Sequence, residues 1–498
     1  MATNLAVGCY ALEYEQPFPY NTLGSELFRI PALLTLQNGS VMAAVDMEYT
    51  HGGDSPQNIE TVVAISSDGY TDWQYTIVNS FDDYPAGVSD EGSASFIDPA
   101  LIQSDETGRI FLIEDVYPSD TGLASSCAGT GCVTVDGVNY IALTDGDYSD
   151  ITALNYYIGE YDDNDFALIY SVDTNEATGY SVDGDFNLYY NDEPLYMTQN
   201  GTPEQVRQNV FYLEAALTVY KTTYIGLRYS DDNGATWSRL ILLNTTVKND
   251  DETFLGICPG RGIVTTVDGT ERIIFTVYDN STGDEHMSSI YSDDNGLTWT
   301  RGERATNTVF LGKTSETQIV ELPDGTLRAF ARNSAACIAY ADSTDGGATW
   351  SRFRIDTSLK CTANCMVSFI NYEGTICGKN AIIASYASKF GSRACGVIRI
   401  GLIDDDNDIE WLDPYYINSE FFAYSCLTQL SDGSIAILCE KTENGYVDYY
   451  IYNLDTETGE ISEVNGNDSE EPEYEFSYKL KLFLLSIVYK IASVFYLL

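Results

Sequence analysis

The apolar positions of this chain come in short runs interrupted by Asn, Asp and Gly. A run such as Tyr224-Ile225-Gly226-Leu227-Arg228-Tyr229 reads as a strand, and the residues that close it are those of tight turns. Thirty-eight tyrosines and forty glycines reinforce a β-rich reading, because aromatic side chains suit a pleated surface and glycine suits the turns.

One turn recurs. Ser230-Asp231-Asp232-Asn233-Gly234-Ala235-Thr236-Trp237 returns as Ser292-Asp293-Asp294-Asn295-Gly296-Leu297-Thr298-Trp299 and as Ser343-Thr344-Asp345-Gly346-Gly347-Ala348-Thr349-Trp350. A degenerate copy stands at Ser66-Ser67-Asp68-Gly69-Tyr70-Thr71-Asp72-Trp73. Four of the five tryptophans fall in these copies, so the repeat is not accidental. The Asp carboxylate accepts bonds from the turn's own amides and Gly supplies a positive φ, which makes each copy a structural device. Spacings of 62 and 51 residues between the strict copies suit the four-stranded blades of a propeller. The interval from Trp73 to Ser230 exceeds one or two blades, and its part from Gly122 to about Tyr220 carries no copy. That part reads as an inserted β-rich lobe. The predicted organisation is thus propeller over 1–121, lobe over 122–220, propeller again over 221–465, and an acidic linker with an apolar tail over 466–498. Asp404–Asp413 reads as an acidic loop within the second propeller segment.

Charge changes the picture of partners. Seventy-five acidic against 25 basic residues give a formal charge of −50, which repels nucleic acid and anionic membrane surfaces. An anionic ligand would need a local cluster of cations. The eleven cysteines are scattered, Cys127 with Cys132 and Cys361 with Cys365 being the nearest pairs, and neither spacing is that of a zinc site. A couple of disulfides is compatible with this distribution; a disulfide framework is not indicated. The two histidines, His51 and His286, have no Ser or Cys arrangement around them, which argues against a histidine triad. No metal site can be named and no organic cofactor is implied, although so acidic a chain is compatible with a structural calcium. No signal peptide is visible at Met1–Val7. At the other end, residues 480–498 are almost continuously apolar, and nineteen helical residues at about 1.5 Å each nearly cross a hydrocarbon core of about 30 Å. Lys490 in its middle is costly there, so a membrane anchor and a packed or interfacial tail both stand. Sequons at Asn38-Gly39-Ser40 and Asn200-Gly201-Thr202 are compatible with an extracellular or cell-surface location, whereas an anchor without a signal peptide would face the cytosol.

Further motifs stand outside the repeat. They are Phe28-Arg29-Ile30-Pro31-Ala32-Leu33, Asp98-Pro99-Ala100-Leu101, Pro259-Gly260-Arg261-Gly262, Glu316-Thr317-Gln318, Ala331-Arg332-Asn333, Arg399-Ile400-Gly401-Leu402 and Ala423-Tyr424-Ser425-Cys426-Leu427. In this order, from about Phe28 to Glu440, and together with the Asp-box turns, the chain resembles the bacterial-type exo-α-sialidases. The resemblance implies a six-bladed, all-β propeller that cleaves terminal sialic acids from glycoproteins and glycolipids.

It also implies roles. Arg29, Arg332 and Arg393 match the three arginines that clamp the sugar's carboxylate, a task suited to guanidinium forks that stay charged at any working pH. Tyr424 matches the nucleophile and Glu316 its base, an exception to the carboxylate nucleophile of most retaining glycosidases. Asp54, in His51-Gly52-Gly53-Asp54, matches the acid/base group, and Asp98 resembles a polar pocket residue near the ring. One departure stands out: where the family usually reads Asp-Ala-Arg-Arg, this chain reads Asp46-Met47-Glu48-Tyr49. The change removes a positive contact and bears on how the sugar's other substituents are held. Two rival outcomes remain at this level: transfer to a sugar hydroxyl, or an anhydro product, by the same residues; and a propeller that binds sialic acid without turnover.

Overall fold

The computed structural model describes residues 14–25, 27–81, 91–198, 205–308, 311–335, 337–359, 364–442 and 445–464. Six antiparallel sheets surround one axis, each laid down from the centre outwards. The first blade shows the pattern, running Leu27–Thr35, Val41–Glu48, Ile59–Ser66 and Gln74–Asn79. The innermost strands of the others are Ser95–Gln103, Leu255–Ile257 continued as Ile263–Val267, Thr314–Glu321, Ser368–Asn371 and Ser425–Gln429. Inner and second strands are buried on both faces and so lack polar alternation, as in Val41–Glu48. Among the described residues helix is confined to single turns such as Asn244–Val247.

The recurrent turns join third to fourth strands. In the copy at Ser230–Trp237, the Asp232 carboxylate accepts the Thr236 amide at 2.8 Å and hydroxyl at 2.7 Å, while Ser230 Oγ accepts the Gly234 amide at 2.8 Å. Gly234 has φ 87°, and a Cβ there would strike Met42 and Ile65 of the preceding blade. The copy at Ser66–Trp73 meets Leu430 of the sixth blade, so the same device closes the ring. Arginines fasten it: Arg109, Arg272 and Arg328 stack on Tyr229, Tyr291 and Tyr340 and pair with Asp231, Asp293 and Asp342.

The inserted strands leave the second blade after Ile110–Tyr117 and return at Tyr224–Ser230. They run from Cys132–Val135 to Thr218–Val219 and build a twisted sheet of their own. This lobe does not hang free. Ile158, Ile169, Val182 and Phe211 share one apolar core with Phe81, Phe96 and Tyr224 of the propeller. Within the lobe, Cys127 and Cys132 remain thiols. The apolar tail at 480–498, Cys361 and the sequon at Asn200 lie outside the described residues. Among the described residues no helix is long and apolar enough to cross a membrane.

Candidate active site

Three inner strands are irregular near their first residues, and each irregularity carries a predicted site residue. In the first blade the register shifts between Arg29 and Ala32, with Ile30 at φ 52°. In the second it shifts between Ile97 and Ala100, with Asp98 at φ 66°. In the fourth it shifts between Thr314 and Thr317, around Glu316. Bulges bend a strand and re-aim its side chains, here toward one end of the axis. The first two are followed by Pro31 and Pro99, which have no N–H to lose from the ladder. The displaced amides are satisfied by buried carboxylates: Ile30 N donates to Glu440 Oε1 at 3.0 Å, and Asp98 N to Asp46 Oδ1 at 3.2 Å. A left-handed Ile costs about 1–3 kcal/mol, so the surroundings must impose it.

Tyr424, immediately before the innermost strand of the sixth blade, stands at the centre. Its hydroxyl donates to Glu316 Oε1 at 2.5 Å and accepts from Arg332 Nη1 at 2.8 Å. The same Arg332 nitrogen donates to Glu316 Oε2 at 2.7 Å, and Arg332 Nε donates to Asn364 Oδ1 at 2.7 Å. Arg393 lies over the Tyr424 ring, its guanidinium carbon 5.2 Å from the centroid. Burial and the Glu316 charge push the phenol well above its ordinary range, with Arg332 and Arg393 opposing.

Arg29 joins this group through Glu440, whose Oε1 lies 3.6 Å from Arg29 Nε and whose amide donates to the Tyr424 carbonyl at 2.8 Å. Arg29 Nη1 also meets Asp54 Oδ1 at 3.1 Å and Glu48 Oε1 at 3.5 Å. Asp54 is the exposed partner, at 74% for its side chain, while Glu48 is fully buried. The Asp54 loop packs on Arg29: a Cβ built at Gly52 would sit in ordinary contact, 3.5 Å from Arg29 Cδ. Buried Gln57 holds the loop from below by donating to the carbonyls of His51 and Gly53.

The structure therefore brings Arg29, Arg332, Arg393, Glu316, Tyr424 and Asp54 to one end of the propeller. Asp98 stands beside them, and burial followed by the charge of Asp115 and of the site carboxylates Glu316 and Asp54 raises its carboxyl well above the usual range. No group of His, Cys, Asp and Glu among the described residues has the arrangement of a metal site. Sequence reading missed three supports: Glu440, Gln57 and Asn364. Glu440 left a signal, since a carboxylate ending the apolar run Ile435-Ala436-Ile437-Leu438-Cys439 needs a buried partner. Glu48, the departure from the family pattern, lies beside Arg29 with neither oxygen hydrogen-bonded. Burial pushes its carboxyl up to about 8 despite the opposing pull of Arg29.

Residues 202–437 match the model of the BNR repeat-like domain. The structure superimposes on the intramolecular trans-sialidase of Ruminococcus gnavus, crystallised with oseltamivir carboxylate, with a TM-score of 0.79 and 36% identity, covering 87% of this chain and 96% of that one. The chain belongs to the sialidase family. Among curated sialidases, the anhydrosialidase of the leech Macrobdella decora is 35% identical over 84% of this chain and 58% of its own length. Sialidase B of Streptococcus pneumoniae is 30% identical over 84% of this chain and 62% of its own length. The chain thus spans about three fifths of these two sialidases.

Proposed function

We propose that this protein is a retaining exo-α-sialidase acting on terminal α-linked sialic acids of glycans. The observation that carries the reading is the Tyr424 hydroxyl, held between Glu316 and Arg332 where three arginines converge. The arginines supply the positive focus that a chain of formal charge −50 lacks elsewhere. A carboxylate substrate displaces Asp54 from Arg29, and the freed aspartate takes up a proton from solvent and delivers it to the departing glycan oxygen. Tyr424 attacks the anomeric carbon as Glu316 takes its proton. A neutral phenol suits this carbon, whose own carboxylate would repel an anionic nucleophile. Its raised pKa makes the base necessary. In the second half Asp54 deprotonates a water, which attacks the sugar and returns Tyr424 to its starting state. No cofactor takes part, and sialoglycans place the substrate outside cells.

A second reading concerns the acceptor alone. Attack by a hydroxyl of the bound sugar in place of water would give an anhydro product, and the relatives named an anhydrosialidase and an intramolecular trans-sialidase are the reason to test for it. A fluorogenic sialoside tests the common chemistry: Tyr424→Phe loses turnover, EDTA leaves it unchanged, and equal rates for variant and wild type refute the tyrosine mechanism. Chromatography of the products from a sialyllactose then separates free sialic acid from an anhydro sugar.

A further inference from the structure

A large cavity lies at the other end of the axis. The inner strands all enter at the Tyr424 end, so Arg29, Asp98 and Glu316 stand near their starts, whereas Thr35, Gln103, Glu321 and Thr428 near their finishes line a cavity of about 790 Å3. That volume lies within the range of small-molecule sites, roughly 300–1,000 Å3.

One side chain in it, Arg261, carries a charge that no carboxylate offsets at close range. Gly260–Arg261 leaves the third blade to pair in parallel with Ala100 and Leu101 of the second. From there Arg261 reaches the innermost strand of the sixth blade, donating from Nη1 to the Leu427 carbonyl at 3.3 Å. Among the described residues this is its hydrogen bond, and no carboxylate oxygen lies within 4.0 Å of it, unlike the aspartate-paired Arg109, Arg272 and Arg328. A guanidinium has five N–H donors, so most of the fork stays open to the cavity. The acceptors are carboxylates: Glu321 and Glu373 line the same cavity, with Asp105. Glu373 is near enough for its charge to act on Arg261.

A bare inorganic anion suits this arrangement poorly, because the lining carboxylates repel it. A ligand that carries hydrogen-bond donors around an anionic head suits it well. We propose that this cavity binds a polyhydroxylated carboxylate, a sugar acid, with its carboxylate on Arg261 and its hydroxyls donating to Glu321 and Glu373. The class is that of the product released at the Tyr424 end, yet the site stands on its own geometry and does not depend on turnover there.

The experiment is calorimetric titration of the full chain with gluconate, acetate and chloride, using Arg332→Ala to silence the arginine cluster. The expected result is one gluconate site, weakened at least tenfold by the additional Arg261→Gln change and also weakened by Glu321→Gln with Glu373→Gln. Acetate and chloride bind at least tenfold more weakly than gluconate. Gluconate binding indifferent to Arg261, or acetate and chloride binding as tightly as gluconate, overturns the proposal. Where Arg261→Gln disturbs folding, the double variant at Glu321 and Glu373 decides: gluconate affinity unchanged in that variant overturns it equally.

Discussion

Glu48 offers a quantitative test of the site's electrostatics. Its carboxyl is fully buried and without a hydrogen bond, and its pKa is raised from 4.5 to about 8. Below pH 4.5 the group carries its proton in both the folded and the unfolded chain and stability is unaffected. Between pH 4.5 and 8 the unfolded chain releases the proton while the fold retains it, so stability falls as pH rises. At about 1.4 kcal/mol for each tenfold step, the loss approaches a ceiling of about 5 kcal/mol above pH 8. Glu48→Gln keeps the volume and cannot ionise. Its melting temperature relative to wild type is therefore expected to rise between pH 5 and pH 8, by several degrees at the 2–4 °C per kcal/mol, or somewhat less, of large domains. Because only one group differs between the proteins, most contributions from Asp46, Asp98 and Glu114 cancel. Parallel melting curves across the two pH values would refute the reasoning, showing that Glu48 ionises normally beside Arg29.

Two further outcomes follow from contacts in the same end of the molecule and in its turns. Glu440→Gln keeps an oxygen for the Ile30 amide but removes the charge beside Arg29; KM for a sialoside is expected to rise about tenfold, the effect of about 1.4 kcal/mol, with a smaller change in kcat. Asp232→Ala strips the turn at Ser230–Trp237 of the acceptor for the Thr236 amide and hydroxyl. It should cost about 1–2 kcal/mol in denaturant unfolding with kcat/KM unchanged, and a drop in activity without loss of stability would contradict its assignment as structural.

The propeller was legible because its blades repeat one local solution. Asp232, Asp294 and Asp345 bond to the amides of their own turns, an interaction complete within eight residues and therefore visible as a motif. The lobe was legible only as a gap. Its strands carry no repeated turn, and its attachment rests on Phe81, Phe96 and Phe211, which are far apart in the chain and meet through the fold alone. The arginines that converge at this end were readable from Arg-Ile-Pro and Ala-Arg-Asn, yet those motifs do not say what holds them. Glu440, Asn364 and Gln57 act through single long-range contacts of ordinary residue types.

Glu48 shows the limit most sharply. The sequence reading took its replacement of a basic residue as a loss of positive contact with the sugar. The structure adds that it is fully buried and approaches the same Arg29 nitrogen, Nη1, as the exposed Asp54. A charged Glu48 would compete with Asp54 for Arg29 and a protonated one competes less, so the departure bears on Arg29 as well as on the sugar's other substituents. Burial raises its carboxyl to about 8, which keeps it mostly protonated at neutral pH and leaves Arg29 to Asp54, so a glutamate in place of a basic residue is compatible with the proposed chemistry.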